Sequence, residues 1–384
     1  MKLNNKLKLL NESATIALNT EVQDLQRKGV AILNLTAGEL DFETPKEIQK
    51  YVIGQIHRNK YTPTLGLPEL RERIAKYVSE YYSWPLNAEN IAVTTGAKQA
   101  LYILFQVILN SGNEVIIPTP TWVSYEYQVL LTSGRGVFVP LTKKFDLDIT
   151  AIKKAITPKT KAIVINSPHN PTGAIFSQKT LLALSKLLEG KDIFIIADDI
   201  YNTLLYTSNY KPITSFIRDK KYLVIINGFS KSHALTGWRI GYMAADISII
   251  KAVNRIQGHE SGNASIMSQL AALGSFNYRI TGTFLKKLKE RKIAGEKILA
   301  DISNILYHSP AGAFYFFIDI RKIDKDSVRF CERLLKEQQV AIVPGEAFHA
   351  PGFVRISFAC DKKILTEALL RLKTFVQNYR DLKK

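Results

Sequence analysis

The sequence predicts an α/β fold: a mostly parallel seven-stranded sheet with flanking helices, followed by a smaller α+β domain. Three observations carry this. Short β-branched runs alternate with helical patterns through the middle of the chain, as βαβ units do. Several of those runs are nearly continuous in apolar residues, which suits strands covered on both faces. After about residue 250 the alternation gives way to long helical stretches and then to a second set of strands.

In chain order, a helix-like segment spans 15–28 and a short strand 31–35. Both are expected to pack on the C-terminal domain, which makes that domain discontinuous. Strands follow at 91–95, 114–118, 137–140, 161–166, 193–198, 222–227 and 240–244. Helices fit between most of them, for example at 98–109 and 178–188. Beyond residue 250, strands are expected near 313–319, 340–343 and 354–358, with a closing helix near 363–379. The resulting division is an N-terminal segment (1–44), a large domain (45–285) and a small C-terminal domain (286–384). Ligands on parallel sheets bind beyond the carboxyl ends of the strands, so polar residues there are the candidates for function.

The 384 residues are 46% hydrophobic and 22% charged, a globular balance that excludes a disordered, collagen-like or disulfide-stapled chain. No apolar run reaches the roughly 20 residues of a membrane span. The basic N-terminus, MKLNNKLKLLNES, lacks the apolar core of a secretory signal. Two cysteines, Cys331 and Cys360, stand in unrelated contexts. The expectation is a cytoplasmic protein with no membrane partner and no metal site. Lys+Arg is 52 against 34 Asp+Glu, a net charge of +18. Such an excess can serve nucleic-acid binding. Here it is spread over amphipathic helices such as 284–297, interleaved with Glu290 and Glu296, and no nucleic-acid-binding motif accompanies it. It reads as a solvated surface, and no nucleic-acid partner is expected.

Four segments hold unusual polar residues. Asn166-Ser-Pro-His-Asn170-Pro-Thr-Gly173 follows a strand; Asn before Pro favours extended backbone and Gly173 permits a turn. Alone it is equally an ordinary turn. Asp198-Asp199-Ile-Tyr201 ends another apolar strand, where the acids could also simply cap a helix. Lys231 lies in a small-residue turn after a third strand, with Arg239 eight residues later; it is a candidate amine nucleophile or a solvated charge. Arg355 interrupts the apolar pattern of Val354-Arg-Ile-Ser-Phe. Burying it is costly unless it meets an anion, either a bound carboxylate or a structural ion-pair partner. Together these residues supply an amine, an acid and two separated arginines. That is the set a pyridoxal 5′-phosphate (PLP) enzyme uses: imine partner, ring-nitrogen partner, phosphate holder and substrate-carboxylate holder.

The whole chain resembles the class I aminotransferases, the fold-type I PLP enzymes, and within them the bacterial aspartate/prephenate aminotransferase branch. The matching motifs run in order: Ser13-Ala-Thr15, Leu35-Thr-Ala-Gly-Glu-Leu-Asp-Phe-Glu-Thr-Pro45, Lys60-Tyr-Thr-Pro, Thr95-Gly-Ala-Lys-Gln-Ala-Leu, Pro120-Thr-Trp-Val-Ser-Tyr, the four segments above, and Pro310-Ala-Gly-Ala-Phe-Tyr. The resemblance implies roles. Lys231 is the imine-forming lysine and proton shuttle. Asp198 pairs with the pyridine nitrogen. Tyr201 and Asn170 donate to the 3′-oxygen, and Trp122 stacks on the ring. Arg239, Gly96, Ala97 and Lys98 serve the phosphate; a helix N-terminus there favours an anion. Arg355, Gly38, Asn170 and Trp122 bind the substrate. Tyr61 reaches the phosphate of a neighbouring subunit, which implies a homodimer with shared active sites.

Two departures stand out. Gly228 occupies a position where many relatives have a phosphate-contacting serine. The loop Gln257-Gly-His-Glu-Ser-Gly-Asn-Ala-Ser lacks the arginine that reads a distal carboxylate in the animal-type subgroup. In the bacterial branch a lysine at the Lys98 position, helped by Ser13 or Thr15, can read that carboxylate. Glu260 in the same loop would oppose a dicarboxylate if it faced the pocket. The implied activity is ping-pong transamination through an aldimine and a ketimine, between an L-amino acid, aspartate or glutamate, and a 2-oxo acid. Aromatic or prephenate transamination and a C–S lyase on the same fold are the alternatives. A dinucleotide dehydrogenase is disfavoured because no G-x-G-x-x-G opens the first βα unit.

Overall fold

The computed structural model describes residues 7, 10, 14–277 and 281–379; the side chains of residues 14–17, 19 and 281 lie outside that description. Its strands are β1 (Leu33–Asn34), β2 (Ile91–Thr94), β3 (Glu114–Thr119), β4 (Arg135–Pro140), β5 (Thr160–Asn166), β6 (Phe194–Asp198), β7 (Leu223–Gly228), β8 (Gly241–Ala244), β9 (Leu306–Tyr307), β10 (Tyr315–Asp319), β11 (Val340–Ala341), β12 (Val343–Pro344) and β13 (Phe353–Ser357). All seven strands expected in the large sheet are present. They lie in the order β2-β8-β7-β6-β5-β3-β4. The pairs from β4 through β7 are parallel, and β8 runs antiparallel to both of its neighbours.

The apolar continuity of these strands has its expected cause. Strands β3, β6 and β7 are buried at every position, with helices on both faces. The helix Gly96–Ile108 lays Ala100, Leu101, Leu104 and Phe105 against Val115, Ile117 and Ile196 on one face. The helix Gln178–Leu188 covers the other, where Leu181 and Leu184 meet Ile163, Ile165 and Ile195. Only β4, at the sheet edge, is largely exposed or half-buried.

The helix expected from residue 98 begins at Gly96. Gly96 takes φ +77°, which glycine adopts without a Cβ penalty. A Cβ on Gly241 of β8 would come within 2.6 Å of the Gly96 carbonyl carbon. The two glycines therefore let the helix start directly against the sheet end.

In the C-terminal part, β12-β13-β10-β9 form a four-stranded antiparallel sheet. The expected single strand at 340–343 divides in two. Val340 and Ala341 pair with β1 at Leu33 and Asn34, whereas Val343 and Pro344 pair with β13. The chain changes sheets at Ile342, so continuous apolarity here marks two neighbours rather than one strand. The strand expected from 313 begins at Tyr315, because Ala313 is left-handed at φ +56°. Helices Ser327–Gln338 and Lys362–Gln377 cover this sheet through Phe330, Leu334, Leu369 and Phe375.

Candidate active site

Strands β5 and β6 end at Asn166 and Asp198, and Lys231 follows three residues after β7. Beyond these ends lies a cleft of about 530 Å³, closed on the far side by residues 36–39, Tyr315 of β10 and Arg355 of β13. Its walls include Gly38, Ala97, Lys98, Trp122, Asn170, Asp198, Tyr201, Lys231, Arg239 and Arg355. Ten of the residues singled out from the sequence thus meet in one place. Gly96 sits beside them at the helix start. Tyr61 does not line this cleft; it is 97% exposed. Ser13 lies outside the described residues. Thr15 belongs to the helix Ala14–Arg27, but its side chain is outside the description.

The sheet side of the cleft is bonded to itself. Asp198 Oδ2 accepts from the Tyr125 hydroxyl at 2.5 Å. Asn166 Nδ2 donates to the Asp198 carbonyl at 2.8 Å, and Asn166 Oδ1 accepts from the Asn170 amide at 2.9 Å. Burial pushes the Asp198 carboxyl up to about 6, although the bonds from Tyr125 and the Ile200 amide lower it. Asp199 points away from the cleft, toward Tyr82, and burial pushes it up to about 7. Only the first acid of the pair therefore serves the site. The Tyr201 hydroxyl shares a hydrogen bond with Tyr315 at 2.9 Å, and burial keeps its pKa well above the ordinary tyrosine value.

Lys231 Nζ donates to the Gly38 carbonyl and lies 5.8 Å from the centre of the Phe314 ring. Burial lowers its pKa to about 8; Glu39 opposes this, while Arg239 and Arg355 reinforce it. Lys231 is half-buried and held by the protein, unlike a freely solvated surface lysine. The amine is partly neutral near physiological pH, which a nucleophile or proton acceptor requires.

Arg355 is 3% exposed. It donates from Nη1 to Asn170 Oδ1 at 3.1 Å and from Nη2 to the Thr36 carbonyl at 2.8 Å. Its Nε has no hydrogen-bond partner among the described residues. The guanidinium lies over the rings of Tyr315 (4.4 Å) and Phe348 (4.8 Å). Among the described residues no carboxylate forms an ion pair with it, so the structural ion pair considered from the sequence is not what holds it. A buried cation with neutral partners is a site for an anion from outside.

The third cationic corner is Arg239 with Lys98. Arg239 is exposed, left-handed at φ +52°, and donates to the Thr236 carbonyl at 3.2 Å. A Cβ on Gly96 would meet its Nη2 at 2.8 Å, so the missing side chain lets the guanidinium reach the helix N-terminus. Lys98 stands at the cleft rim with Nζ 5.1 Å from the Trp122 ring centre. Partial burial, and then the Arg239 charge, lower its pKa.

Gly228 and Glu260 both find a physical setting. A Cβ on Gly228 would lie 2.9 Å from the Ile240 carbonyl oxygen and 3.0 Å from Gly241 Cα; glycine lets β8 approach there, and a serine would need β8 to move. Glu260 does not line the cleft. It accepts from Gln99 Nε2 at 2.7 Å, which removes the expected clash with a dicarboxylate in this arrangement. Among the cleft residues to which the sequence assigned no role are Tyr125 and Tyr315. Each stood inside a quoted motif, three residues after Trp122 and at the end of Pro310–Tyr315 respectively. Their partners, Asp198 and Tyr201, are remote in sequence, so only their place in the motifs signalled them.

The comparison with known proteins agrees with this geometry. Residues 30–372 match the family described as aminotransferase class I and II. The aspartate aminotransferase of Thermotoga maritima is 39% identical, over 95% of this chain and 97% of the relative. The aspartate/prephenate aminotransferase of Thermus thermophilus is 37% identical over 96% and 97%. The solved structure of aspartate aminotransferase from Thermus thermophilus with maleate superposes with a TM-score of 0.93 at 36% identity, covering 97% of this chain and 99% of that one. With one cleft uniting the lysine, acid and arginines of the family motifs, and with likeness along almost its whole length, this chain belongs to the class I and II aminotransferases, PLP-dependent enzymes that transfer amino groups between amino acids and 2-oxo acids.

Proposed function

We propose that the chain binds PLP and transfers the amino group of L-aspartate or L-glutamate to a 2-oxo acid. The observation that carries this reading is Arg355, a buried guanidinium without a carboxylate partner among the described residues, in the same cleft as an amine of lowered pKa. The residues fit the cofactor. The glycine-opened helix start at Gly96, Ala97 and Lys98, with Arg239 against it, would take the phosphate. Asp198, fixed by Tyr125, would face the ring nitrogen. Trp122 would stack on the ring, and Tyr201 and Asn170 would donate to its oxygen. PLP, when bound, supplies an imine carbon and an electron-withdrawing ring that stabilises charge at the substrate Cα.

The protein's own groups do the rest. Arg355 holds the α-carboxylate through its planar fork, with Gly38 and Asn170 beside it. Lys98 meets a distal carboxylate at the rim, assisted by Ser13 or Thr15. Lys231 Nζ, released from the Gly38 carbonyl, takes the Cα proton and redelivers it. The names of the relatives support aspartate as donor. Tyr61, exposed on its own subunit, would reach the phosphate of a second copy in a homodimer. Residues 45–285 would form the large PLP-binding domain and 286–384 the smaller one, with 1–44 packed on the latter, a division that the β1–β11 pairing supports. We place the enzyme in the cytoplasm; among the described residues no helix is long and apolar enough to cross a membrane.

The test is an absorbance spectrum of PLP-loaded protein before and after L-aspartate, without any 2-oxo acid. The band of the lysine-bound cofactor should convert to that of the aminated cofactor, and Lys231→Ala should abolish the change. A band that ignores aspartate but responds to aromatic amino acids would move the assignment to the aromatic or prephenate alternative. Release of ammonia and pyruvate would mark a C–S lyase.

A further inference from the structure

Two of the cations that line the cleft are held by main-chain carbonyls of one segment. Thr36 O accepts from Arg355, and Gly38 O accepts from Lys231. Behind this segment the main chain is tied at either side, Ser357 N–H donating to the Leu35 carbonyl at 3.0 Å and Asp41 N–H to the Ala359 carbonyl at 3.1 Å, but the space between is not filled. A second cavity of about 160 Å³ lies between Ala37–Asp41 and Ser357–Cys360. Beyond it, after Leu40 enters the core, Asp41 supplies a charged side-chain anchor. Its two oxygens accept from Arg291 Nη1 and Nη2 at 2.7 and 2.8 Å, a bidentate pair. The Arg291 side chain is 7% exposed and comes from the long helix Thr281–Ala300. Next to it, Phe42 stacks on Phe284 at 4.4 Å and lies under the Arg291 guanidinium at 5.1 Å. At the far end, Trp238 Nε1 donates to Thr44 Oγ1 at 2.8 Å. Planar fork-to-carboxylate bonding fixes direction as well as distance, and an ammonium cannot reproduce it.

We propose that the Arg291–Asp41 pair sets the height of residues 36–39 over the cleft, which makes Arg291 a positioning residue for Lys231, Arg355 and the carboxylate that binds between them. The substrate arm rests on the transaminase reading above; the lysine arm does not. With the fork lost, the segment relaxes toward the cavity behind it and the Gly38 carbonyl leaves the ammonium. Lys231 stays half-buried and still faces Glu39, which favours the ammonium, and Arg239 and Arg355, which disfavour it; losing the carbonyl removes an acceptor that only the donor-rich ammonium fully uses, which shifts the balance toward the neutral amine.

The experiment uses the full-length chain with Asp41→Asn, Arg291→Lys and the double variant. Asp301→Asn, in a looser pair with Lys373 at 3.4 Å, serves as control. Acetylation of Lys231 in PLP-free protein, followed by mass spectrometry across pH, should show a midpoint about one pH unit lower in the three variants than in the parent. In the PLP-loaded protein the Kd for maleate should rise about tenfold, KM should change more than kcat, and the Kd for PLP should stay within about twofold of the parent. The double variant should be no worse than either single one, because both remove the same link. An unmoved Lys231 midpoint with an unmoved maleate Kd, and only a lower Tm, would overturn the proposal and leave the pair a structural one. A moved midpoint in a protein whose parent never binds maleate would keep the positioning role and reject the dicarboxylate substrate instead.

Discussion

The two walls of the cleft solve opposite problems. On the sheet side, Asp198, Tyr125, Asn166 and Asn170 satisfy one another at the ends of buried strands. On the other side, Arg355 is as deeply buried but, among the described residues, meets a carbonyl, an amide oxygen and two aromatic faces and no carboxylate. The first wall is complete without a ligand; the second keeps an uncompensated charge. Buried polar groups are ordinarily paired, and the exceptions mark sites where something arrives from outside. The difference teaches which wall is scaffold for the cofactor and which receives substrate.

That contrast can be broken experimentally. The largest effect belongs to Lys231, which stands between the walls. Lys231→Ala should lower kcat/KM by about 10⁴-fold or more, measured by a coupled assay for the 2-oxo product. Arg355→Met comes next, and here activity and stability should part company. KM for the amino acid should rise about 100-fold, while Tm should hold or increase, because an apolar side chain of similar size removes an unpaired buried charge. Asp198→Ala, on the completed wall, should lower Tm as well as activity, since Tyr125 loses its acceptor. A parallel fall in Tm for both variants would erase the distinction between the walls.

Asp199 sharpens the comparison from behind the sheet. Asp198 and Asp199 are both raised by burial, from 3.8 to about 6 and about 7. The folded chain therefore holds protons that the unfolded chain releases. The stability they contribute is fully present below pH 3.8 and is lost as pH rises through about 6 and 7. Asp199→Asn should remove part of that slope and make the PLP-free protein more stable than the parent at pH 8, on the order of 1 kcal/mol or more by urea unfolding. The smallest expected effect is that of Glu260→Gln. Since Glu260 turns to Gln99 rather than the cleft, KM for aspartate should change by less than about twofold.

Arg355 was legible as a charge inside an apolar strand; the other legible residues of the cleft mostly stand in short motifs near strand ends, where local pattern carries the signal. Lys231, Asp198, Asn170 and Arg239 are of this kind. The strands of the large sheet were equally legible: six are buried almost throughout and so are rich in apolar residues, and the edge strand β4 still carries Val137, Phe138 and Val139. The run at 340–343 was not, since apolarity reports burial and is silent about which sheet does the burying. Tyr125 and Tyr315 carried no role because each acquires one from a partner 73 or 114 residues away.

Local chemistry alone was enough to specify an α/β sheet ending in an amine, an acid and two arginines, because side-chain alternation, turn residues and buried charge leave their mark within a few neighbouring positions. The folded chain was needed to show that Arg355 has no carboxylate among the described residues to neutralise it, and that the carbonyls of Gly38 and Thr36 hold Lys231 and Arg355. Those contacts join residues 193 and 319 positions apart, and the Asp41–Arg291 fork that steadies them spans 250. Hydrogen bonds and ion pairs act over a few ångströms of space, so their partners at such separations are set by packing and have no signature along the chain.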